Sequence, residues 1–160
     1  MTNQGGKFHT VRGYELLNQG SNVLTPSMED YLEMSYRLGK DKGYARISDL
    51  AQALNVQPPS ASKMVQKLAE MGYLNYERYG VIEFTELGRE IGEYLLKRHE
   101  TIQSFLIMIG VVHNTLEDTE KIEHSISEET YKYITLFSQF IQQNQQLLEA
   151  YRLFLEQNSE

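Results

Sequence analysis

Ile47-Ser48-Asp49-Leu50-Ala51-Gln52-Ala53-Leu54-Asn55-Val56-Gln57-Pro58-Pro59-Ser60-Ala61-Ser62-Lys63-Met64-Val65-Gln66-Lys67-Leu68 is the stretch on which the fold turns. Ser48-Asp49 offers an N-cap for a short amphipathic helix through Leu50, Ala51 and Leu54. Asn55-Val56-Gln57 breaks it. Pro58-Pro59-Ser60 then opens a second helix, in which Ala61, Met64, Val65 and Leu68 keep the 3.6-residue period as far as Met71-Gly72. Two short helices, a tight turn, and a small residue, Ala51, where they cross closely have the form of a helix-turn-helix. The second helix starts with short residues for a geometric reason: the N-terminal end of a recognition helix enters a groove about 12 Å wide. Gln57 stands at its mouth, and Pro59, Ser60, Ala61 and Ser62 are small enough to let the backbone approach. Lys63, Gln66 and Lys67 then reach base edges or phosphates, and the helix N-terminus itself favours a phosphate.

Working outward, Thr25-Pro26-Ser27 supplies an N-cap and an N1 proline for a helix over about 26–38, with Met28, Tyr31, Leu32, Tyr36 and Leu38 at helical spacing. Downstream, Tyr73 to Phe84 is β-prone around a turn at Tyr79-Gly80 and reads as a two-stranded hairpin, a wing with Arg78 and Tyr79 at its tip near the sugar-phosphate backbone. Thr85 to about Ile109 returns to helical spacing as a long connector ending at Gly110. Asp118-Thr119 caps another helix, and Glu128 to Glu156 is Gln-rich with periodic Tyr133, Phe137, Phe140, Ile141, Leu148, Tyr151 and Leu155, which points to packed helices and not to low complexity. The reading is a mainly α chain: a leader over 1–24, a winged helix-turn-helix domain over 25–98 and an all-α domain over 99–160.

Net charge at first argues the other way. The chain carries −7 overall, and phosphate contacts need a local surplus of Lys and Arg. The deficit is C-terminal: residues 99–160 hold three basic and ten acidic side chains, while 36–79 hold seven basic and four acidic. A locally basic segment sits inside an acidic protein, which suggests two parts with different partners. Zero cysteines remove disulfides, thiolate catalysis and sulfur-ligated metal centres together. No apolar run approaches the roughly 18 residues of a membrane span, and the leader lacks a secretory pattern, so a cytoplasmic protein is expected. The leader reads most simply as a mobile arm, with a minor-groove contact through Lys7 and Arg12 as the alternative.

Asp30 and Glu33 stand three apart on the first helix, and Glu120, Glu123 and His124 stand at i, i+3 and i+4 on a later one; each set shares a helix face. His99 lies in the connector, while His9 and His113 match no usable spacing and are read as surface residues. Acidic residues at such spacing usually mark a solvated face. In combination, four carboxylates and two imidazoles without sulfur suit Mn²⁺, Fe²⁺ or Zn²⁺, with the carboxylate weight leaning to manganese. Two rivals stay open: a dinuclear metalloenzyme, for which no spare acid or base with meaningful spacing is present, and a winged-helix regulator answering to a non-metal ligand or partner protein.

With these motifs in place, the chain resembles the DtxR/MntR family of metal-dependent bacterial transcriptional repressors, in its two-domain manganese-sensing branch. The resemblance runs from about Leu24 to Ser127 and rests on Thr25 to Glu33, on Ala45 to Leu68, on Arg98-His99-Glu100 and on Glu120-Lys121-Ile122-Glu123-His124. It implies Asp30, Glu33, His99, Glu120, Glu123 and His124 as ligands of a binuclear Mn²⁺ site, with Fe²⁺, Zn²⁺ or Cd²⁺ as substitutes. Iron-sensing relatives have Met and Cys where Asp30 and Glu120 stand. The resemblance also implies no enzymatic activity, a homodimer through Ile102, Phe105, Leu106 and Ile109, double-stranded operator DNA as partner, and repression of metal-uptake genes. The SH3-like third domain of longer members is not expected at this length. The leader and the segment from Val112 to Glu117 depart from the family pattern.

Overall fold

The computed structural model describes residues 23–76 and 79–158. The leader, with Lys7, His9 and Arg12, and the wing residue Arg78 lie outside the described residues. The chain divides into two compact units, residues 1–96 and 97–160.

In the first unit, α1 spans Pro26–Gly39, β1 Tyr44–Arg46, α2 Ile47–Ala53, α3 Pro58–Glu70, β2 Leu74–Tyr76 and β3 Val81–Phe84. Thr25 caps α1 as its sequence predicts: the Met28 backbone N–H donates to Thr25 Oγ1 at 3.3 Å, with Pro26 at the first helical position. Thr25→Ala is therefore expected to lower stability by about 1 kcal/mol, read from the midpoint of chemical denaturation. The turn between α2 and α3 is set by Asn55, whose φ of 52° lies in the left-handed region. Asn tolerates that region better than other side chains. With it there, Val56 N–H reaches Ala51 O at 2.9 Å and Asn55 N–H reaches Gln52 O at 3.2 Å, so the last carbonyls of α2 are satisfied before α3 begins. Leu32, Leu50, Ala61, Val65, Leu68 and Ile82 are fully enclosed where the three helices and the sheet meet. Each of these apart from Ala61 contributes about 1.5–3 kcal/mol by leaving water.

The sheet has three strands where the sequence predicts two. Its order is β1-β3-β2, all antiparallel, with Ala45 opposite Ile82 on one side and Tyr76 opposite Ile82 on the other. β1 also changes how α2 starts. Arg46 is held in the ladder opposite Val81, and Ile47 N–H bonds to Gly80 O at 2.9 Å, so the chain turns helical directly at Ile47. Ser48 and Asp49 are not the caps their types suggest: Ser48 Oγ donates to Asp49 Oδ1, and α2 has no side-chain cap.

α4 spans Glu86–Met108, and the division between the units falls within it. Its start belongs to the first unit and packs closely there: Thr85 Oγ1 donates within hydrogen-bond distance of both Gly72 O (2.7 Å) and Tyr73 O (2.9 Å), and Gly88 N–H donates to Thr85 Oγ1 at 3.0 Å.

In the second unit α4 ends at Gly110, where φ is 100° and Val111 N–H returns to Leu106 O at 2.9 Å. α5 spans Thr115–Glu123, α6 Glu128–Gln143 and α7 Gln145–Asn158. One reading changes. α5 begins at Thr115 instead of at an Asp118-Thr119 cap; Thr119 is fully buried within the helix, its hydroxyl donating to Thr115 O. The helices expected over 128–156 are two, and they part at Asn144, whose ψ of 73° leaves the helical region and whose side-chain amide donates to Phe140 O at 2.6 Å. A side chain that bonds its own backbone in this way competes with the helix ladder. α7 returns onto the end of α4: Tyr151 OH donates to Ile109 O at 2.8 Å. Ile102 and Leu106, expected at a dimer interface, are buried within the single chain and so have no surface to offer.

Candidate nucleic-acid interface and metal centre

α3 presents the residues that its amphipathic pattern places outward. Gln57, Pro59, Ser60, Lys63, Gln66 and Lys67 are exposed, while Val65 and Leu68 face the core. Ala61 does not belong with the first group. It has no exposed surface and packs on the same stripe as Val65 and Leu68, so its small size serves the close approach of α3 to the core and not the approach to a groove. Ser62 is half-buried, and its Oγ accepts from Tyr76 OH at 3.1 Å, a link from the recognition helix to strand β2 that the sequence reading missed. Tyr79, at the turn of the hairpin, is 89% exposed, free to meet a partner. Arg46 lies 6.0 Å from the centroid of the Tyr44 ring, a cation–π distance, and both are exposed on the edge strand beside the wing.

The two acids of the first unit sit on adjacent turns of α1. Asp30 is half-buried; Glu33 is buried and accepts from the Arg37 guanidinium one turn later at 2.5 Å. That i, i+4 partner is legible in the spacing, though it was not singled out. Glu29, beside Asp30 on α1, is buried as well.

In the second unit the connector histidine meets the later helix. His99 Nδ1 lies 3.1 Å from Glu123 Oε2 and 3.3 Å from Oε1, and both residues are buried, Glu123 to 2% exposure. His124 Nε2 lies 3.6 Å from Glu123 Oε1 and is half-buried. Glu123 is thus flanked by two imidazoles. A carboxylate beside one ring nitrogen of a histidine orients the ring and favours one tautomer, an arrangement common to metal-ligating histidines. Glu120, one turn earlier on α5, is exposed. Lys121, between the acids, is turned away: its ammonium bonds Glu117 at 2.5 Å, which holds the Glu117 carboxyl below the usual carboxylate range and raises the Lys121 pKa. Both ends of that pair are solvated, so it contributes little to stability. The donors are oxygen and imidazole nitrogen with no sulfur, a set that fits Mn²⁺ and related divalent ions. His113 is exposed and takes no part.

Comparison with known proteins accounts for most of the chain. Residues 23–82 match the family model for the iron dependent repressor N-terminal DNA binding domain, and residues 85–149 match that for the iron dependent repressor metal binding and dimerisation domain. The chain is 48% identical over 129 residues to the HTH-type transcriptional regulator MntR of Geobacillus kaustophilus (strain HTA426), covering 80% of this chain and 92% of that one. It is 46% identical over 135 residues to the protein of the same name from Shouchella clausii (strain KSM-K16), covering 84% and 94%. Among solved structures, IdeR of T. acidophilum is similar with 26% identity and a TM-score of 0.58, over 66% of this chain and 51% of that one. The manganese regulator SloR, at 24% identity and a TM-score of 0.62, shares the fold over 73% of this chain and 55% of its own. The chain therefore spans about half the length of these two solved regulators.

Proposed function

Because the chain belongs to the iron-dependent repressor (DtxR/MntR) family, and is a metal-dependent DNA-binding transcriptional regulator rather than an enzyme, we propose that the metal it reads is Mn²⁺ and that Asp30, Glu33, His99, Glu120, Glu123 and His124 hold it, as a binuclear site. The observation that carries this reading is the buried Glu123 carboxylate between two imidazoles, in a donor set without sulfur. Bound Mn²⁺ adds positive charge among these carboxylates. The proposed ligand set draws Asp30 and Glu33 from the first unit and His99, Glu120, Glu123 and His124 from the second, so ligation ties the DNA-binding domain to the domain that dimerises. Two recognition helices in a symmetric dimer must stand about 34 Å apart to read successive major grooves, and free motion between domains scatters that spacing.

On the DNA side, Ser60, Lys63, Gln66 and Lys67 contact the groove and its phosphates, with Gln57 and Pro59 at the helix mouth and Tyr79 at the wing. Each lysine that neutralises a phosphate steepens the salt dependence of binding by about one. The dimer face is drawn from the exposed apolar side chains of α6 and α7, Tyr133, Leu136, Phe137, Phe140, Leu153 and Phe154, which gain by leaving water against a second copy. No helix of the described residues is long and apolar enough to cross a membrane, consistent with a regulator working on DNA in the cytoplasm. Genes for metal uptake are its targets in this reading.

The test is binding to DNA fragments selected from a randomised pool by the metal-loaded chain. Mn²⁺ is expected to raise affinity by about 5- to 150-fold, the span of a coupling of 1–3 kcal/mol, and the selected DNA must raise Mn²⁺ affinity by the same factor. Equal DNA affinity with and without Mn²⁺ would sink the reading.

A further inference from the structure

The wing strand reaches back to the recognition helix at one point. Tyr76, the last residue of β2, donates its hydroxyl hydrogen to Ser62 Oγ over 3.1 Å. The Tyr76 ring packs against the hydrophobic core, so the phenol oxygen is carried on a supported frame instead of a free side chain. Ser62 is at the fifth position of α3, between Ala61, which is in the core, and Lys63, which is in solvent. Its half-burial fits that boundary.

A serine hydroxyl has one hydrogen to donate and two lone pairs. Tyr76 occupies a lone pair, which restricts rotation about the Cβ–Oγ bond and leaves the Ser62 hydrogen to point elsewhere. Among the described residues no hydrogen bond from Ser62 uses that hydrogen. A hydroxyl that already accepts one bond is polarised into a stronger donor. Pro59 and Gln66, at i−3 and i+4 and so on the same face of α3 as Ser62, are exposed, which turns that hydroxyl toward the outer surface of the recognition helix.

Resting on the DNA-binding reading above, we propose that Tyr76 is a positioning residue for DNA binding, its hydroxyl orienting Ser62 so that Ser62 donates to a phosphate oxygen of the duplex. The wing and the recognition helix then act on the backbone as one unit. A short neutral donor to a charged acceptor adds affinity without reading sequence.

Tyr76→Phe removes one oxygen and keeps the ring in the core. In the full chain saturated with Mn²⁺, it is expected to weaken binding to a selected duplex about 3- to 10-fold, and to a non-selected duplex by the same factor, with the melting temperature and Mn²⁺ affinity unchanged. Ser62→Ala is expected to weaken binding about tenfold, Ser62→Thr to retain it, and Tyr76→Phe combined with Ser62→Ala to bind as Ser62→Ala alone. The slope of log affinity against log salt stays the same in all four, because neither residue carries charge. Wild-type affinity in Tyr76→Phe, a loss confined to the selected duplex, or a double variant weakened by the product of the singles each overturns the proposal while leaving the chain a DNA-binding protein. If the Mn²⁺-loaded wild type selects no DNA at all, the broader reading fails first and this one with it.

Discussion

Glu123→Gln is expected to abolish the Mn²⁺-dependent gain in DNA affinity while leaving a folded protein. Gln has nearly the same shape as Glu, and its amide can still meet His99 Nδ1, which now lies 3.1 Å from a carboxylate oxygen. What it lacks is the charge. Glu123 is the most enclosed of the proposed ligands, 2% exposed, and the one that contacts both imidazoles of its unit. A neutral amide there is a poor partner for a divalent ion, and it no longer fixes the His99 tautomer through a charge-assisted bond. Loss of a supporting partner alone typically weakens metal binding 10- to 100-fold, so loss of a ligand that also plays that part is expected to weaken it by about 100-fold or more. Mn²⁺ titration of the variant followed by calorimetry, and DNA binding at a Mn²⁺ concentration that saturates the wild type, check the two halves of the claim. Glu120→Gln makes the instructive comparison, because Glu120 is exposed. Mn²⁺ binding by Glu123→Gln within a few-fold of wild type would remove Glu123 from the centre of the site.

How much of this was legible in the chain depends on the range of the interaction that sets each feature. The helix-turn-helix is local: the break at Asn55, the prolines at Pro58-Pro59 and the stripe through Val65 and Leu68 lie within a few turns of one another, and all of them are where the sequence places them. The ligand sets are likewise local, because i, i+3 and i+4 share a helix face whatever the rest of the chain does. Strand β1 is not. Its three residues are too few for a period, and its pairing partner at Glu83 is 39 residues away from Tyr44, so nothing near it announces a strand. The misplaced cap at Ser48-Asp49 follows from the same omission, since it is the ladder at Arg46 that decides where α2 begins.

Ala61 is a different kind of error. Small residues at the start of a recognition helix satisfy two demands, close packing below and close approach above, and size alone does not separate them. The spacing did: Ala61, Val65 and Leu68 fall at i, i+4 and i+7, the core stripe. The break at Asn144 was hidden because the glutamines around it hold no turn residue, and only the bond from its side chain to Phe140 O reveals what stops α6. The burial of Ile102 and Leu106 is the remaining lesson: a helical stripe predicts that a face is covered, but whether by the same chain or by a second copy is a tertiary fact.

The largest loss of stability from a single methyl group is expected at Gly88. In an isolated helix Gly→Ala stabilises by about 1 kcal/mol, because Gly has more backbone freedom to lose. Here the sign reverses. A Cβ built on Gly88 would stand 1.7 Å from Tyr73 O and 2.7 Å from Tyr73 C, inside any possible contact distance, and both are backbone atoms that cannot rotate away. The same Tyr73 carbonyl accepts from Thr85 N–H at 3.2 Å and Thr85 Oγ1 at 2.9 Å, and Thr85 Oγ1 in turn caps α4 through Gly88 N–H. Relieving the clash means lifting the start of α4 off Tyr73, which breaks both of the bonds from Thr85 to its carbonyl. Overpacking of this kind costs about 1–3 kcal/mol where side chains can give way, and a backbone contact puts Gly88→Ala at or above the top of that range, about 3 kcal/mol. For a chain of this size that corresponds to a fall of roughly 10 °C in melting temperature. Gly92→Ala serves as the graded comparison: its Cβ would meet Tyr36 Cβ at 2.7 Å, too close but a far milder overlap than the 1.7 Å at Gly88, so a smaller loss is expected. Thermal unfolding of the two variants side by side decides the point, and a Gly88→Ala protein as stable as wild type would mean that α4 does not meet Tyr73 in this way.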